Sequence, residues 1–336
     1  MIPIHRLNKF ASLSIIPLMA LAIVIGSRAV ANSTPKAPMP TEGMLVMAQL
    51  RGDALTTYNF ANHSGPAQLA LPGPPHEFAY AGGRLYLTLG RGNQLLEMAP
   101  GVPAVLRSLA LDGEPNGLAV SGEDLVATLD KGDALVTIDR ASMTETGRVP
   151  TGDTPHNVAV TAAGAYVTVS RENKLAFIPF SHTDGPAPGT QKQPAGLLPE
   201  SVALTADFIV TADADGGTIT IVRRDTFTTV GTMAVGARPV RVIGLDATHV
   251  LVSLNNDAQV AVVDVAKHHV ERRIDVLGHP DGLCLSPNRD YVAVSSNEAG
   301  QVQLFRLADW ALAGALDAGN GPGACAWIPD PLTTHD

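Results

Sequence analysis

Residues 250–305 read VLVSLNNDAQVAVVDVAKHHVERRIDVLGHPDGLCLSPNRDYVAVSSNEAGQVQLF. Apolar residues alternate with small or polar ones in VLVSL, QVAVVD, LCLS, YVAVSS and QVQLF, the period-two pattern of β-strands. Clusters of Asn, Asp, Gly and Ser separate these runs and mark turns. Gly278 closes one run just before Pro280, and the next run starts after it.

The same register extends in both directions. Pro75, Pro115, Pro155, Pro199, Pro239, Pro280 and Pro322 each open a unit, with spacings of 40, 40, 44, 40, 41 and 42 residues. A short apolar segment follows most of these prolines: PNGLAVS, PHNVAVT, PESVALT, PDGLCLS. A second segment alternates, as in RLYLTL, DLVATL and AYVTVS, and so does a third, as in ALVTID and TITIVR. The fourth often ends in glycine, as in GTMAVG. Four strands in each repeat of about forty residues define a β-propeller. No stretch shows the i, i+3, i+4, i+7 spacing that a helical repeat needs. Three strands precede Pro75, near 44–49, 54–60 and 68–71, and only GACAWIP follows Pro322. The expectation is therefore an all-β, seven-bladed propeller of four-stranded blades. Its C-terminal strand becomes the innermost strand of the N-terminal blade, a three-plus-one closure that removes the exposed sheet edge.

These segments resemble the YVTN-type repeat of bacterial and archaeal exported propellers. The likeness spans roughly residues 43–330 and is closest in the third, sixth and seventh blades. It departs in the fourth, where SHTDGPAPGTQKQPAG (181–196) stands in place of a clean outer strand. The resemblance implies the fold and an extracytoplasmic setting. It carries no function, because propellers serve many.

The N-terminus reads as a Sec signal. Arg6 and Lys9 precede the apolar run ASLSIIPLMALAIVIG (11–26), and Ala29-Val30-Ala31 offers a cleavage site. The expected division is a signal peptide over 1–31, a flexible leader over 32–42, the propeller over 43–330 and a disordered tail over 331–336. Loss of Arg6, Lys9 and Arg28 takes the formal charge from −9 to −12. A chain this acidic, without a Lys/Arg cluster, excludes nucleic acid and anionic membrane surfaces as natural partners. The expected product is a periplasmic or secreted monomer with no membrane insertion after cleavage. Its partner would be a protein or small-molecule ligand.

Candidate chemistry gathers where each repeat begins. The third residue after the proline is usually large (Phe78, Leu118, Val158, Val202, Val242, Leu283) and the fourth mostly small, which marks core. The residues immediately after the prolines fall at the channel mouth instead. His76, Asn116, His156, Glu200 and Asp281, with Glu77, Asn157 and Arg241 one step further, are the candidate ligand site. Loops after the second strands bring Arg91, Asp130, Lys131, Asp133, Arg171, Glu172, Asp213, Asp215, Asp257 and Glu298 to the same rim. His76, His156, Glu200 and Asp281 together could hold a divalent metal. His63, His182, His249, His268, His269 and His279 are read as solvated loops or exposed strands. No C-x-x-C-H, P-loop or G-x-S-x-G motif occurs, so haem and nucleotide are not expected and no other cofactor is evident. The leading function is a binding or interaction module. The alternatives are a metal-assisted hydrolase or lyase of lactone-like substrates, and an accessory of a periplasmic metal or redox system.

The two cysteines sit four residues after Pro280 and three after Pro322. If the ring closes as argued, they lie on neighbouring inner strands with opposite parity. Cys284 and Cys325 can then meet across the seam as a disulfide, the usual outcome in an oxidising compartment. The alternative is a pair of buried free thiols.

Overall fold

A computed structural model describes residues 36–99, 104–180 and 189–330. Twenty-eight strands in these residues form seven four-stranded antiparallel sheets, a seven-bladed β-propeller. Each repeat proline opens an inner strand: Pro75–Ala81, Pro115–Ser121, Pro155–Thr161, Pro199–Leu204, Pro239–Gly244, Pro280–Leu285 and Pro322–Ile328. The last pairs antiparallel with Met44–Gln49, so the first blade is completed by the C-terminal strand. No helix among the described residues is long and apolar enough to cross a membrane. The expected signal peptide over 1–31, the first four residues of the expected leader (32–35) and the expected tail over 331–336 lie outside the described residues.

Burial explains the strand composition. The second and third strands of a blade are covered on both faces by neighbouring blades, so Leu125, Val126, Ala127 and Leu129 have no exposed surface. One apolar cluster joins Val210, Ala212, Ile219 and Ile221 of the fifth blade to Val250, Val252, Leu254, Ala261 and Val263 of the sixth. Outer strands such as Thr144–Pro150 face solvent and are correspondingly polar. The turn before every third strand takes a left-handed residue: Asp53, Asn93, Asp133, Asn173, Gly217, Ala258 and Gly300. Asn, Asp and Gly tolerate that conformation best, which accounts for the turn clusters in the sequence.

Two segments differ from expectation. Residues 36–42 were assigned to a flexible leader, yet the Lys36 and Ala37 amides donate to the Leu312 carbonyl at 2.8 and 3.2 Å, and Ala37 is buried. The leader is thus tied to the outer strand of the seventh blade. In the fourth blade the outer strand is shortened rather than replaced, since Gln191–Pro194 pairs with Lys174–Pro179. The rest of the expected excursion, 181–188, lies outside the described residues.

Cys284 and Cys325 form a disulfide with their Cα atoms 5.9 Å apart, joining the inner strands of the seventh and first blades. A bond across 41 residues removes unfolded-chain entropy worth about 4 kcal/mol. Urea unfolding of protein produced in an oxidising compartment should lose about that much stability on reduction, or in the Cys284→Ser/Cys325→Ser variant. Two titratable thiols under denaturing, non-reducing conditions would contradict the pairing.

Candidate functional site

The inner strands leave their ladders at the channel mouth. In all seven, register with the second strand shifts between the proline and the second or third residue after it, as between Pro155 and Val158. Backbone groups released there need other partners. Hydroxyls on the second strands supply them. Thr88 Oγ1 accepts from the Glu77 amide at 3.0 Å and donates to the Asn116 carbonyl of the next blade at 2.7 Å. Thr128 likewise joins the Gly117 amide to the His156 carbonyl, both at 2.8 Å. Ser253 joins Arg241 to Asp281, and Ser295 joins Gly282 to Gly323. Gly282 has to be glycine, because a Cβ would lie 2.2 Å from the Gly323 carbonyl oxygen. At these four seams the inner strand is therefore held by its own blade and its neighbour.

Three spaces follow one another around and down the channel. His76, His156, Glu200, Arg238, Arg241, Asp281 and Glu298 contribute to a lobe of about 400 Å³. His76 and His156 also border a second lobe of about 830 Å³, with Asn116, Asp130, Glu114, Arg51 and Arg91. A smaller chamber of about 170 Å³ is lined by Glu77, Asn157 and Arg241 together with Leu118, Val158, Val202, Val242 and Leu283. Arg241 borders both the first lobe and the chamber, so it forms part of the floor between them. The third residues after the prolines are buried, as core positions should be, and five of them close the channel below that floor.

Arg241 of the sixth blade reaches across the ring to pair with Glu77 of the second. Asn157 Nδ2 donates to the same Glu77 oxygen at 3.3 Å, and its Oδ1 accepts from the Val202 amide at 3.2 Å. Burial works against the charge on Arg241, but Glu77 and Asp281 outweigh it and raise its pKa. Burial, then His156 and Arg241, hold the His76 pKa well below the ordinary imidazole value, so that ring is neutral at pH 7. Burial raises the pKa of Glu200 against the pull of His156 and Arg238. It raises that of Asp281 against the pull of Arg241. The two imidazoles meet edge to face with centroids 5.4 Å apart. His156 Nδ1 lies 2.7 Å from the Glu200 carbonyl oxygen. A carbonyl only accepts, so Nδ1 carries the proton and a neutral ring presents its Nε2 lone pair elsewhere.

Of the eight expected site residues, His76, His156, Glu200, Arg241 and Asp281 border the first lobe, and Asn116 borders the second. Glu77 and Asn157 lie beneath, bordering the chamber. The four candidate metal ligands are not drawn together. Among the described residues, only His249, Asp264 and Glu271 form a His/Asp/Glu group of three with ligand atoms within 4.8 Å of one another.

Rim residues divide similarly. Arg91, Asp130 and Glu298 border the lobes, and Asp215 braces Arg238 at 3.2 Å. Lys131, Asp133, Arg171, Glu172 and Asp257 do not border them. Asp213 is fully buried instead, accepting from Thr211, Thr220 and Thr218 at 2.7, 2.8 and 3.0 Å. His279 and Arg238 were missed as site residues, and His279 was read as solvated. Both directly precede repeat prolines and take φ of +56° and +53°, a backbone turn that places them on the first lobe. The offset before the proline was a usable signal; only the offset after it was read.

The fold has solved counterparts. A functionally unknown protein from Desulfotomaculum acetoxidans DSM 771 superposes with a TM-score of 0.73 at 13% identity, covering 85% of this chain and 99% of that one. Hydrazine synthase from Kuenenia stuttgartiensis gives 0.66 at 16%, over 78% and 92%. Apo AztD from Citrobacter koseri gives 0.66 at 10%, over 86% and 98%. They share the fold. At such identities the likeness extends no further. No family model matches the chain, and neither does any curated protein.

Two measurements check this electrostatic arrangement. Removing one member of the Arg241–Glu77 pair strands a buried charge, so Arg241→Met or Glu77→Gln should each cost about 3–5 kcal/mol. The double variant should cost clearly less than their sum in a urea double-mutant cycle. Asp213 provides the second. Desolvation lifts its pKa from 3.8 to about 6 despite its three threonine hydrogen bonds. The folded state therefore favours the protonated acid, and its stabilising contribution is fully present below pH 3.8 and lost as pH rises through about 6. Glu200 and Asp281 act with the same sign. Asp213→Asn should flatten the fall in stability between pH 4.5 and 7.5 by on the order of 2–3 kcal/mol.

Proposed function

We propose that this chain is an exported binding protein that takes a small polar ligand, or a polar side chain of a protein partner, in the two-lobed channel mouth. One observation carries the proposal. Buried polar atoms are almost always hydrogen-bonded, and each exception calls for a cause. Four buried side-chain atoms among the described residues lack a partner: His76 Nδ1, Asn116 Oδ1, Asp130 Oδ1 and Trp327 Nε1. The first three border the larger lobe. Asn116 Oδ1 and Asp130 Oδ1 can only accept, so the matching ligand offers N–H or O–H groups there. The braced floor beneath supplies the rigidity that a binding site needs. Export is supported by the basic-apolar-small pattern over 6–31, by the resemblance to YVTN-type exported propellers, and by the Cys284–Cys325 disulfide.

Metal binding in the mouth is the second reading, and the His156 tautomer favours it. The Glu200 carbonyl fixes Nδ1–H and frees Nε2, the arrangement seen in metal-ligating histidines. His76, Glu200 and Asp281 would complete the ligand set, and such an ion would supply the Lewis acid that the hydrolase alternative requires. Their spacing is open, so an ion would have to draw these side chains inward.

Calorimetric titration of the mature chain with a panel of small amines, polyols and divalent metal salts distinguishes the readings. An amine or polyol ligand should lose roughly ten- to a hundred-fold affinity on Asn116→Ala or Asp130→Asn, the worth of a charged hydrogen bond. A mouth metal should instead respond to His156→Ala and ignore Asn116→Ala. Ligand binding that survives all three substitutions would place the site elsewhere.

A further inference from the structure

The seven blades act as internal controls for one another, and the sixth carries a cluster that the others lack among the described residues. Its second strand, His249–Leu254, pairs with the third, Gln259–Asp264, so that His249 stands directly opposite Asp264. Its outer strand, His269–Asp275, has a bulge: Val262 pairs with Arg272 and Val263 with Val270, which leaves Glu271 as the extra residue. A bulge re-aims the side chain it carries. The same bulge recurs at Leu106, Thr146, Val230 and Ala313 of other blades, none of which bears a carboxylate. Among the described residues, only in the sixth does a histidine on the second strand face both an aspartate on the third and a glutamate at the bulge.

The distances suit a metal. His249 Nε2 lies 3.3 Å from Glu271 Oε2 and 3.8 Å from Asp264 Oδ2. Ligands about 2.1 Å from a tetrahedral zinc stand about 3.4 Å from one another. Behind the ring, Asp246 Oδ1 and Oδ2 both lie 2.9 Å from His249 Nδ1. That contact places the proton on Nδ1 and turns Nε2 toward the two carboxylates, as in the carboxylate–histidine–metal arrangement. Asp264 is 2% exposed, and a cation stabilises a carboxylate buried in this way. Lys267 Nζ meets that need at 2.7 Å from Asp264 Oδ2, on a side chain 72% exposed and free to swing into solvent.

We propose that His249, Asp264 and Glu271 form a zinc site on the outer edge of the sixth blade, oriented by Asp246 and gated by displacement of the Lys267 ammonium. Three protein ligands leave a fourth position for solvent or for a side chain of a docking partner. The site is separate from the channel mouth and shares no residue with it.

Zinc sulfate titrated calorimetrically into tag-free mature protein tests the proposal, with cobalt(II) absorption reporting coordination geometry. One equivalent should be lost in His249→Ala while a His76→Ala variant retains it. Asp246→Asn, which touches no metal, should weaken that equivalent by about 10–100-fold. Lys267→Met should tighten it. Glu271→Gln, at an exposed bulge, supplies a second ligand variant should His249→Ala fail to fold. Absence of zinc binding in the wild type would overturn the site. So would an equivalent that responds to His76→Ala and ignores His249→Ala, Glu271→Gln and Asp246→Asn, because that ion would belong to the mouth.

Discussion

Everything functional in this ring depends on how the inner strands are fastened to one another. A propeller must bring its innermost strands close enough to define a mouth, yet there the strands bulge and their backbone groups leave the ladder. The hydroxyls of Thr88, Thr128, Ser253 and Ser295 repair this by accepting an amide of their own blade and donating to a carbonyl of the next. Each such bond is worth about 1 kcal/mol net, but losing one would leave a buried backbone group unpaired at higher cost. The fifth blade has Ala212 and the first has Ala48 where the other five carry the hydroxyl. In the fifth, Ser201 takes over by bonding the Val242 amide at 3.2 Å, so the fastening there is maintained although its usual residue is lost. The fastening fixes the His156 carbonyl through Thr128 and the Asp281 carbonyl through Ser253, two of the strand positions that face the lobe.

On that frame rests the cross-channel pair of Arg241 and Glu77. An ion pair removed from water is poor evidence for stability, since desolvation consumes most of the attraction. Its consequence here is geometric. It links the second and sixth blades, divides the polar mouth from the apolar chamber, and places a fixed positive charge beneath Asp281 and His76. That charge helps keep His76 neutral, whereas burial, aided by the Glu77 charge, lifts Asp281 against it. A neutral imidazole beside a carboxyl group of raised pKa has hydrogen-bonding capacity of both kinds to offer a ligand.

The seven prolines, the strand alternation and the three-plus-one closure were legible because repetition multiplies a weak local signal sevenfold. The Cys284–Cys325 pair was legible because closure made two distant inner strands neighbours. The expectation for Asp213 failed for an equally physical reason. A carboxylate after a second strand reads as rim, but Thr211, Thr218 and Thr220 surround this one and draw it inward. Arg238 and His279 were marked in the sequence only by their offset directly before a repeat proline; the left-handed turn that places them on the lobe is not inferable from residue type. The gathering of unpartnered atoms at His76, Asn116 and Asp130 is a property of packing and leaves no mark in the sequence.

Repetition also shows where to look for function in a fold that serves many. What recurs is the scaffold: the prolines and the left-handed turn residues in every blade, and the one-residue outer-strand bulge in five of them. What appears once is a departure that the fold does not require. His76 and His156 are departures of this kind at the mouth, where the same position holds Val240 in one blade and Gly323 in another. Glu271 is one at the bulge, where other blades place Leu106, Thr146, Val230 or Ala313. His249 was indistinguishable in sequence from other surface histidines, because its partners come from two further strands and one of them is aimed by a bulge. In a ring of near-identical blades, chemistry is carried by the residues that break the repeat at positions the repeat holds rigid.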